Sequence, residues 1–283
     1  MIQYTKIQSN GNNFLLLDNR TLSLSDAQLS ALTKRDSDIK NGVGADGLLI
    51  IETSETEDFK MRIFNSDGSE GEMCGNGARC IARYAFDHGI ASEIMQFETL
   101  AGPIRAEILE DGVRIGFGTL SIEDGLETHM ILVNGETVYY RFLTVGVPHV
   151  VIFMEENRQY RKEELRQIGY ALDYNHAVFK NGTNVNFVRH LGGNRIEATT
   201  YERGVEDLTT SCGTGSSASA AVSLAKYGIA SPVEVVNPGG VNIVDLEPDT
   251  EKSGSYRIGL KGVPHYVARV QCAALDEEEH VLI

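Results

Sequence analysis

The sequence predicts an α+β fold of two homologous lobes related by a pseudo-twofold axis. We expect each lobe to be a mainly antiparallel sheet wrapped around a central helix, with an active site in the cleft between the lobes. Two observations support this prediction. A cysteine-glycine loop followed by a helix-like run occurs twice, at Cys74 and at Cys212. Most of the remaining chain alternates in the manner of strands, with glycine turns between them.

The two copies agree in the residues after the cysteine. Each reads cysteine, glycine, a small polar residue and glycine, and then a helical run that ends in a Gly-Ile-Ala-Ser segment. Glycine commonly follows the last turn of a helix, so both helices end at the same signal. A glycine turn comes at the same distance from each cysteine: 102 − 74 = 28 and 240 − 212 = 28. Matching order at matching spacing predicts two copies of one structural unit.

The repeat also predicts where the chain divides. Residues 1–119 are expected to form the N-terminal lobe and residues 120–264 the C-terminal lobe. A final strand-like segment, within residues 265–280, is expected to complete the first lobe.

Local patterns predict the elements of the first half. Ser25-Asp26-Ala27-Gln28 is a capping-box pattern that opens a helix through Thr33. The first cysteine helix is expected to begin at Ala78 and run towards Gly89. Strands are predicted at residues 3–8, 13–18, 48–51, 60–64 and 95–99.

The second half repeats this succession. A helix is predicted over residues 163–172, where Leu165, Ile168 and Leu172 share one face. The second cysteine helix is expected from Ser217 to Gly228. Strands are predicted at residues 136–143, 145–152, 184–188, 195–200, 233–236 and 265–270.

Composition limits the possible partners. The chain has 283 residues and a net charge of −15, which argues against nucleic acid or an anionic membrane as the main partner. No apolar run is long enough to span a bilayer, and the first residues lack the regions of a signal peptide. We therefore expect a cytoplasmic protein whose four cysteines stay reduced.

The two cysteine loops suggest a pair of thiols that face one small anionic substrate. Glycines let the backbone approach a ligand closely, and a helix start leaves N–H groups unpaired. Such an end attracts anions and lowers the pKa of a nearby thiol.

A pair of cysteines has four possible uses. The cytosolic context argues against a resting disulfide. A zinc site is disfavoured because the chain has no Cys-x-x-Cys pair, the nearest two being Cys74 and Cys80. A cysteine hydrolase needs one nucleophile, so a second equivalent loop would be unnecessary. The favoured use is proton transfer at carbon, in which one thiolate removes an α-proton and a thiol on the opposite face returns one. No pyridoxal motif is evident, so no cofactor is predicted. No metal is predicted either, since a zinc site is disfavoured.

The chain is similar to a known family, the diaminopimelate epimerases, over nearly its whole length. The two cysteine loops together are highly specific to these cofactor-independent epimerases. The resemblance implies interconversion of LL- and meso-2,6-diaminopimelate in lysine and peptidoglycan precursor synthesis, and it makes a homodimer plausible. The matching segments lie at residues 11–14, 42–47, 64–70, 73–77, 98–102, 148–149, 184–185, 202–204 and 212–215.

The resemblance also implies roles for individual residues. Cys74 and Cys212 would be the two-base pair, with His149 and Glu202 as their thiol-activating partners. The other implied residues bind the substrate. Backbone contacts to the reacting carboxylate would come from Gly75, Asn76, Gly213 and Thr214; Asn12 would lie near the reacting centre, and Asn65, Asn184 and Arg203 would hold the distal end.

One departure from the family pattern keeps other hypotheses open. Val147 stands where the family commonly has an asparagine that bonds the distal group. A cofactor-independent racemase of another amino acid, for example histidine, is therefore the second hypothesis. The third is a non-catalytic amino-acid-binding or redox-sensing protein. Cys80 and Cys272 lie outside any such loop and are expected to be structural.

Overall fold

A computed structural model of the chain describes residues 1–122 and 127–275. The chain forms two compact units. Unit 1 comprises Met1–Ile115 together with the segment that begins at Val263, and unit 2 comprises Gly116–Gly262. Residues 276–280 of the predicted final strand lie outside the described residues.

Unit 1 consists of strands with two helices. Its elements are β1 (Ile2–Ser9), β2 (Asn12–Asp18), α1 (Asp26–Ser37), β3 (Gly47–Glu52), β4 (Phe59–Asn65), β5 (Glu70–Gly71), α2 (Gly75–Asp87), β6 (Ile94–Glu98), β7 (Ile104–Leu109), the first part of β8 (Gly112–Ser121), and β18 (Pro264–Cys272). The division between the units falls inside β8. The last strand, β18, pairs antiparallel with the first, β1.

Unit 2 repeats the succession after one additional strand. Its elements are β9 (His129–Val133), β10 (Glu136–Val145), β11 (Val147–Phe153), α3 (Lys162–Asp173), β12 (Asn184–Gly192), β13 (Arg195–Glu202), β14 (Asp207–Leu208), α4 (Gly213–Tyr227), β15 (Val233–Asn237), β16 (Gly240–Pro248) and β17 (Ser255–Gly262).

The strand pairings of the two units correspond one to one. The pairs β2–β3 and β4–β6 are parallel in unit 1, and their counterparts β11–β12 and β13–β15 are parallel in unit 2. Neighbours joined by hairpins, such as β3–β4 and β12–β13, are antiparallel. The predicted α+β class with two homologous, mainly antiparallel units is therefore confirmed.

Each unit is built around the helix that follows its cysteine. In unit 1, α2 packs against β1–β4, β7 and β18, and in unit 2, α4 packs against β10–β13 and β15–β17. The residues of α4 from Gly215 to Ser223 are buried without interruption, and all of them except Val222 are glycine, alanine or serine. Small side chains allow strands to approach a helix on every side, which is why this weakly apolar sequence lies at the centre.

The outer helices cover separate apolar clusters. Leu29 and Leu32 of α1 pack with residues of β1–β4, while Leu165, Ile168 and Leu172 of α3 pack with residues of β10–β13. The shared face predicted for α3 is thus its buried face. The capping box of α1 is present at Ser25, but the helix continues four residues past Thr33.

The central helices begin earlier than predicted. α2 starts at Gly75 instead of Ala78, and α4 starts at Gly213 instead of Ser217. The glycines therefore form the first helical turn, where N–H groups need no partner within the helix and helix propensity matters least. Among the described residues, no helix has the length and apolarity to cross a bilayer.

Candidate active site

The cysteine of each loop occupies the N-cap position of the following helix. Cys74 precedes α2 with an extended backbone (φ −138°, ψ 123°), and Cys212 precedes α4 in the same way (φ −115°, ψ 117°). Gly75 and Asn76, like Gly213 and Thr214, are consequently the first two residues of their helices. Their N–H groups belong to the first turn, which has no intrahelical acceptors for them. Each loop thus combines a thiol with donors suited to an anion.

Close packing explains the second glycine of each loop. A Cβ on Gly77 would lie 2.8 Å from Cδ2 of Leu49 in β3. A Cβ on Gly215 would lie 2.4 Å from Oδ1 of Asn186 in β12. Real Cβ atoms do not approach this closely, so a side chain at either position would force its neighbour on the sheet to move.

In unit 1, three of the predicted residues lie together. The Cys74 thiol donates to Oδ1 of Asn12 at 3.5 Å, and Nδ2 of Asn76 donates to the same oxygen at 3.5 Å. Asp46 orients this asparagine, since its Oδ2 accepts from Nδ2 of Asn12 at 2.8 Å and from the backbone N–H of Asn13 at 2.7 Å. Asp46 lies in the matching segment at residues 42–47, but no role was predicted for it from the sequence. We call Asn12, Asp46, Cys74, Asn76 and Arg79 the first thiol cluster.

Arg79 supplies this cluster with a buried cation. Its side chain is 0% exposed, its Nη2 donates to Oδ1 of Asn76, and its Nε donates to Oγ of Ser9 at 3.3 Å. Burial lowers the pKa of Arg79 to about 10, so the guanidinium remains charged at neutral pH. Arg79 was not among the residues predicted from the sequence, where it is one of two arginines in α2, together with Arg83.

In unit 2, Glu202 lies beside the second thiol. The Cys212 thiol and the Thr209 hydroxyl both hydrogen-bond to the Glu202 carboxylate. Burial raises the pKa of Glu202, and these two hydrogen bonds oppose that rise. Sγ of Cys212 also accepts from the Gly215 N–H at 3.4 Å and lies 3.5 Å from Oγ1 of Thr214. We call Glu202, Thr209, Cys212, Thr214 and Gly215 the second thiol cluster. Within it, a proton can pass between the Cys212 thiol and the Glu202 carboxylate.

His149 belongs to the same unit but bonds to a different partner. Its ring is completely buried, and its Nδ1 lies 3.1 Å from Nδ2 of Asn186. Burial, with the positive charge of Arg203 adding to it, lowers the pKa of His149 to about 3. The imidazole is therefore neutral at physiological pH. Its Nε2 has no hydrogen-bond partner in the described part of the chain.

Asn184 and Arg203 are brought together by adjacent strands. The backbone N–H of Arg203 donates to Oδ1 of Asn184 at 2.8 Å. The exposed Arg203 guanidinium donates to the backbone carbonyl of Asn181 at 2.7 Å, and it forms no ion pair with any described residue. A guanidinium held at one edge keeps its other N–H groups available for a carboxylate.

Asn65 lies at the end of β4 in a turn. Its Nδ2 donates to Oγ of Ser69 at 3.1 Å, and its backbone N–H donates to the Ser69 carbonyl at 2.8 Å. The residue is exposed and has no hydrogen bond to the first thiol cluster.

Comparison with known proteins identifies relatives over most of the chain. The family described as diaminopimelate epimerase matches residues 4–122 and 141–266. The chain is 38% identical to a diaminopimelate epimerase of Aquifex aeolicus over 261 residues, which is 89% of this chain and 92% of that protein. It is 35% identical to a diaminopimelate epimerase of Archaeoglobus fulgidus over 260 residues, covering 88% and 91% of the two chains.

Solved structures share the fold at low sequence identity. A hydroxyproline epimerase from Agrobacterium vitis matches with a TM-score of 0.67 and 15% identity, covering 98% of this chain and 94% of the other. A phenazine biosynthesis protein of the PhzF family from Bacillus anthracis matches with a TM-score of 0.65 and 15% identity, covering 96% and 99%. These two similarities establish a common fold.

Proposed function

The chain belongs to the diaminopimelate epimerase family, and from this premise we propose that it interconverts LL- and meso-2,6-diaminopimelate. The chain is accordingly an isomerase. The observation that carries the proposal is that each central helix begins directly after a cysteine, at Cys74 and at Cys212. Two equivalent thiols are what a two-base proton transfer at one carbon requires.

The reaction transfers one proton off and one proton onto the same α-carbon. The thiolate of one cysteine takes the α-proton and becomes a thiol, while the C–H electron pair stays on the carbon. The thiol of the other cysteine then delivers its proton to the opposite face and becomes a thiolate. The atoms balance without an oxidant, and the reverse reaction uses the two groups in exchanged roles. We infer that no cofactor takes part.

The first turns of α2 and α4 suit the carboxylate next to that carbon. Backbone N–H groups of Gly75, Asn76, Gly213 and Thr214 would donate to its oxygens. Negative charge moves from the carbon onto these oxygens as the proton leaves. Donors already in place stabilise that charge without reorganisation, which is the main way such sites lower a barrier.

Side chains near each thiol fit supporting roles. Asn12 would hold Cys74 close to the reacting carbon, because Asp46 fixes the direction of its amide. Glu202 would exchange a proton with Cys212, to which it is already hydrogen-bonded.

The distal amino-acid group would bind Asn65, Asn184 and Arg203. The carboxylate of that group suits the Arg203 guanidinium, whose remaining donors allow a bidentate contact. Val147 replaces an asparagine common in the family and cannot donate to the same group, so a second candidate is a racemase of another amino acid.

Three further features belong to this proposal. The enzyme would act in lysine and peptidoglycan precursor synthesis, as a homodimer, by analogy with the family. It would work in the cytoplasm, where a reducing environment keeps both thiols available for proton transfer.

The test is α-proton exchange in deuterated water, followed by NMR under reducing conditions. The panel contains LL- and meso-diaminopimelate, lysine, histidine, glutamate and proline. We expect rapid exchange with diaminopimelate alone, and a loss of roughly 10³-fold or more in Cys74→Ala and in Cys212→Ala. Cys272→Ala is the matched control, since this cysteine lies outside both thiol clusters.

Each other outcome rejects a defined part of the proposal. Retained exchange in either cysteine variant would contradict the two-base mechanism. Faster exchange with another amino acid would keep the mechanism and replace the substrate. Ligand binding without exchange, or a readily formed reversible disulfide, would favour a binding or redox-sensing protein.

A further inference from the structure

A chain of three buried polar side chains ends at an unpartnered imidazole nitrogen. Thr200 and Asn186 lie on β13 and β12, next to His149 on β11, and their exposed fractions are 2%, 0% and 0%. Oγ1 of Thr200 lies 2.9 Å from Oδ1 of Asn186, and Nδ2 of Asn186 lies 3.1 Å from Nδ1 of His149. Nε2 of the same ring has no partner among the described residues. An uncompensated buried polar atom is costly, which indicates that a ligand or a reacting group completes it.

The orientation of the Asn186 amide follows from its neighbours. Its Nδ2 lies 2.9 Å from the backbone carbonyl of Val150, and a carbonyl oxygen can only accept. The reversed amide would place two oxygens against each other at this distance. The NH₂ group therefore faces Val150 and His149, and the amide oxygen faces the Thr200 hydroxyl, which donates to it.

This orientation determines where His149 carries its hydrogen. The Asn186 NH₂ group gives one hydrogen to Val150 and the other to Nδ1 of His149, so Nδ1 must accept. A neutral imidazole that accepts at one nitrogen carries its hydrogen on the other. We propose that Asn186 and Thr200 are positioning residues that hold His149 as the Nε2–H tautomer, so that His149 serves the reaction as a hydrogen-bond donor and not as a proton acceptor.

The side chains of Asn186 and Thr200 have little freedom to adopt another arrangement. The first turn of α4 lies against them, because a Cβ on Gly215 would be 2.4 Å from Oδ1 of Asn186 and 2.9 Å from Oγ1 of Thr200. The register of β11 and β12 pairs Val151 with Asn186, so the amide lies two residues along from His149. The second cysteine loop thus lies against both polar side chains, and the histidine is hydrogen-bonded to one of them, Asn186.

This inference rests on the proposed function and makes one of its roles more specific. A ring with hydrogen on Nε2 cannot take a proton from a thiol at that atom. It can donate to an anionic acceptor, either the α-carboxylate of the substrate or a cysteine thiolate. In both cases His149 stabilises negative charge during the proton transfer and leaves the acid and base roles to the cysteines.

The direct test is ¹⁵N NMR of protein labelled at the histidine rings, without substrate. Ring nitrogens with and without hydrogen have well-separated shifts. We expect Nε2 of His149 to carry the hydrogen in the wild type, and Nδ1 to carry it in Asn186→Asp, because a carboxylate can only accept. A wild-type ring with hydrogen on Nδ1 would overturn the proposal, as would a tautomer unchanged by Asn186→Asp.

A second pair of variants distinguishes the loss of the Thr200 hydrogen bond from a general disturbance of folding. Thr200→Val removes the hydroxyl that orients the amide but keeps the shape of the side chain. We expect a mixture of tautomers and about a tenfold loss of kcat with little change of KM. Thr199→Val is the same change one residue earlier on the same strand, and it should alter neither the tautomer of His149 nor kcat. Equal effects of the two variants would show that only packing was disturbed.

Kinetics separate donation from proton acceptance. His149→Gln keeps an N–H donor near the position of Nε2, whereas His149→Leu keeps only the bulk. We expect His149→Gln to retain at least about tenfold more kcat than His149→Leu. Equal losses in the two variants would contradict the donor role. The NMR result does not depend on turnover, so failure of this inference and failure of the proposed function are distinguishable.

The same ¹⁵N resonances can identify the group that accepts the hydrogen bond from Nε2 of His149. A shift of the Nε2 resonance when meso-diaminopimelate is added to Cys74→Ala/Cys212→Ala protein would identify the substrate carboxylate. A shift that requires the cysteines would identify a thiolate. If the Nε2 resonance shifts neither in the double variant nor in the protein with both cysteines, the donor role would be overturned.

Discussion

Arg79 and Ser217 occupy the same position in the two repeats, five residues after the cysteine, but only the first is charged. The Arg79 guanidinium is completely buried and donates to Asn76, which in turn donates to Asn12 beside Cys74. Ser217 instead donates to the backbone carbonyl of Gly213 within its own helix, at 3.0 Å. The two otherwise similar loops therefore differ in the electrostatic support of their thiols.

Arg79→Met should slow alkylation of Cys74 by roughly tenfold at neutral pH and leave Cys212 unchanged. A buried cation stabilises a nearby thiolate, and about 1.4 kcal/mol of lost stabilisation corresponds to a factor of ten. Cys212 is an internal reference, because rates at both thiols can be followed by mass spectrometry in one sample.

The stability of the same variant separates this role from a structural one. Nη1 of Arg79 has no partner among the described residues, so the cation is incompletely compensated. Its replacement by an apolar side chain should change the free energy of unfolding by less than about 2 kcal/mol. Ser217→Ala is the control and should alter neither thiol. Equal slowing of both thiols by Arg79→Met would contradict the prediction.

Asp46→Ala should lower kcat/KM about fivefold, because Asn12 loses the acceptor that directs its amide oxygen towards Cys74. Steady-state kinetics with diaminopimelate measure this effect. Asp38→Ala is a matched control in the same unit. Asp38 also accepts two hydrogen bonds in an exposed turn, from the backbone N–H groups of Lys40 and Asn41, but it lies outside the first thiol cluster. An unchanged kcat/KM in Asp46→Ala would show that Asn12 is oriented by other contacts.

Glu202→Gln should become more stable relative to the wild type as pH rises above 4.5. Burial raises the pKa of Glu202 above its ordinary value of 4.5, so the folded protein holds this proton more tightly than the unfolded chain. The associated stabilisation is fully present below pH 4.5 and is lost as pH rises through the folded-state pKa. The loss is at most about 1.4 kcal/mol per pH unit within that window.

Urea unfolding of both proteins at about pH 4 and about pH 8 measures the difference. The exposed Glu55→Gln variant controls for the loss of one carboxylate. A stability difference between Glu202→Gln and wild type that does not change with pH would show that the carboxyl titrates alike in the folded and unfolded chains.

Val147→Asn should lower KM for diaminopimelate about fivefold without changing kcat. The residue opens β11 after a turn at Gly146, whose φ is +68°, and it is half-buried. An amide there would regain about 1 kcal/mol from one hydrogen bond to the distal group. Val147→Thr is the control, since it adds a hydroxyl without an amide. A KM unchanged by Val147→Asn would support a different amino acid as the natural substrate.

Several features of the molecule follow from local sequence. The duplicated cysteine loops and their common spacing predicted two homologous units, and the matching parallel pairs β2–β3 and β11–β12 confirm the duplication. The capping box at Ser25 predicted the start of α1 correctly. These signals lie within a few residues or repeat at a constant interval, so they are readable without a structure.

The starts of the central helices could not be predicted as well. Glycine has a low helix propensity, and the predicted starts of α2 and α4 lie three and four residues too late. Tertiary packing decides where these helices start, because a Cβ at Gly77 or Gly215 would collide with side chains of the sheet.

The sequence by itself determined the family, the duplicated architecture and the two thiols that define the candidate site. Only the tertiary structure decided how those thiols are supported: Asp46 orients Asn12 from 34 positions away, Arg79 is buried behind Asn76, and Asn186 bonds Nδ1 of His149 across 37 positions. The physical reason is that a hydrogen bond forms only between atoms about 3 Å apart. Strand register and helix packing bring distant residues to that distance, and neither is visible in the local pattern of the chain.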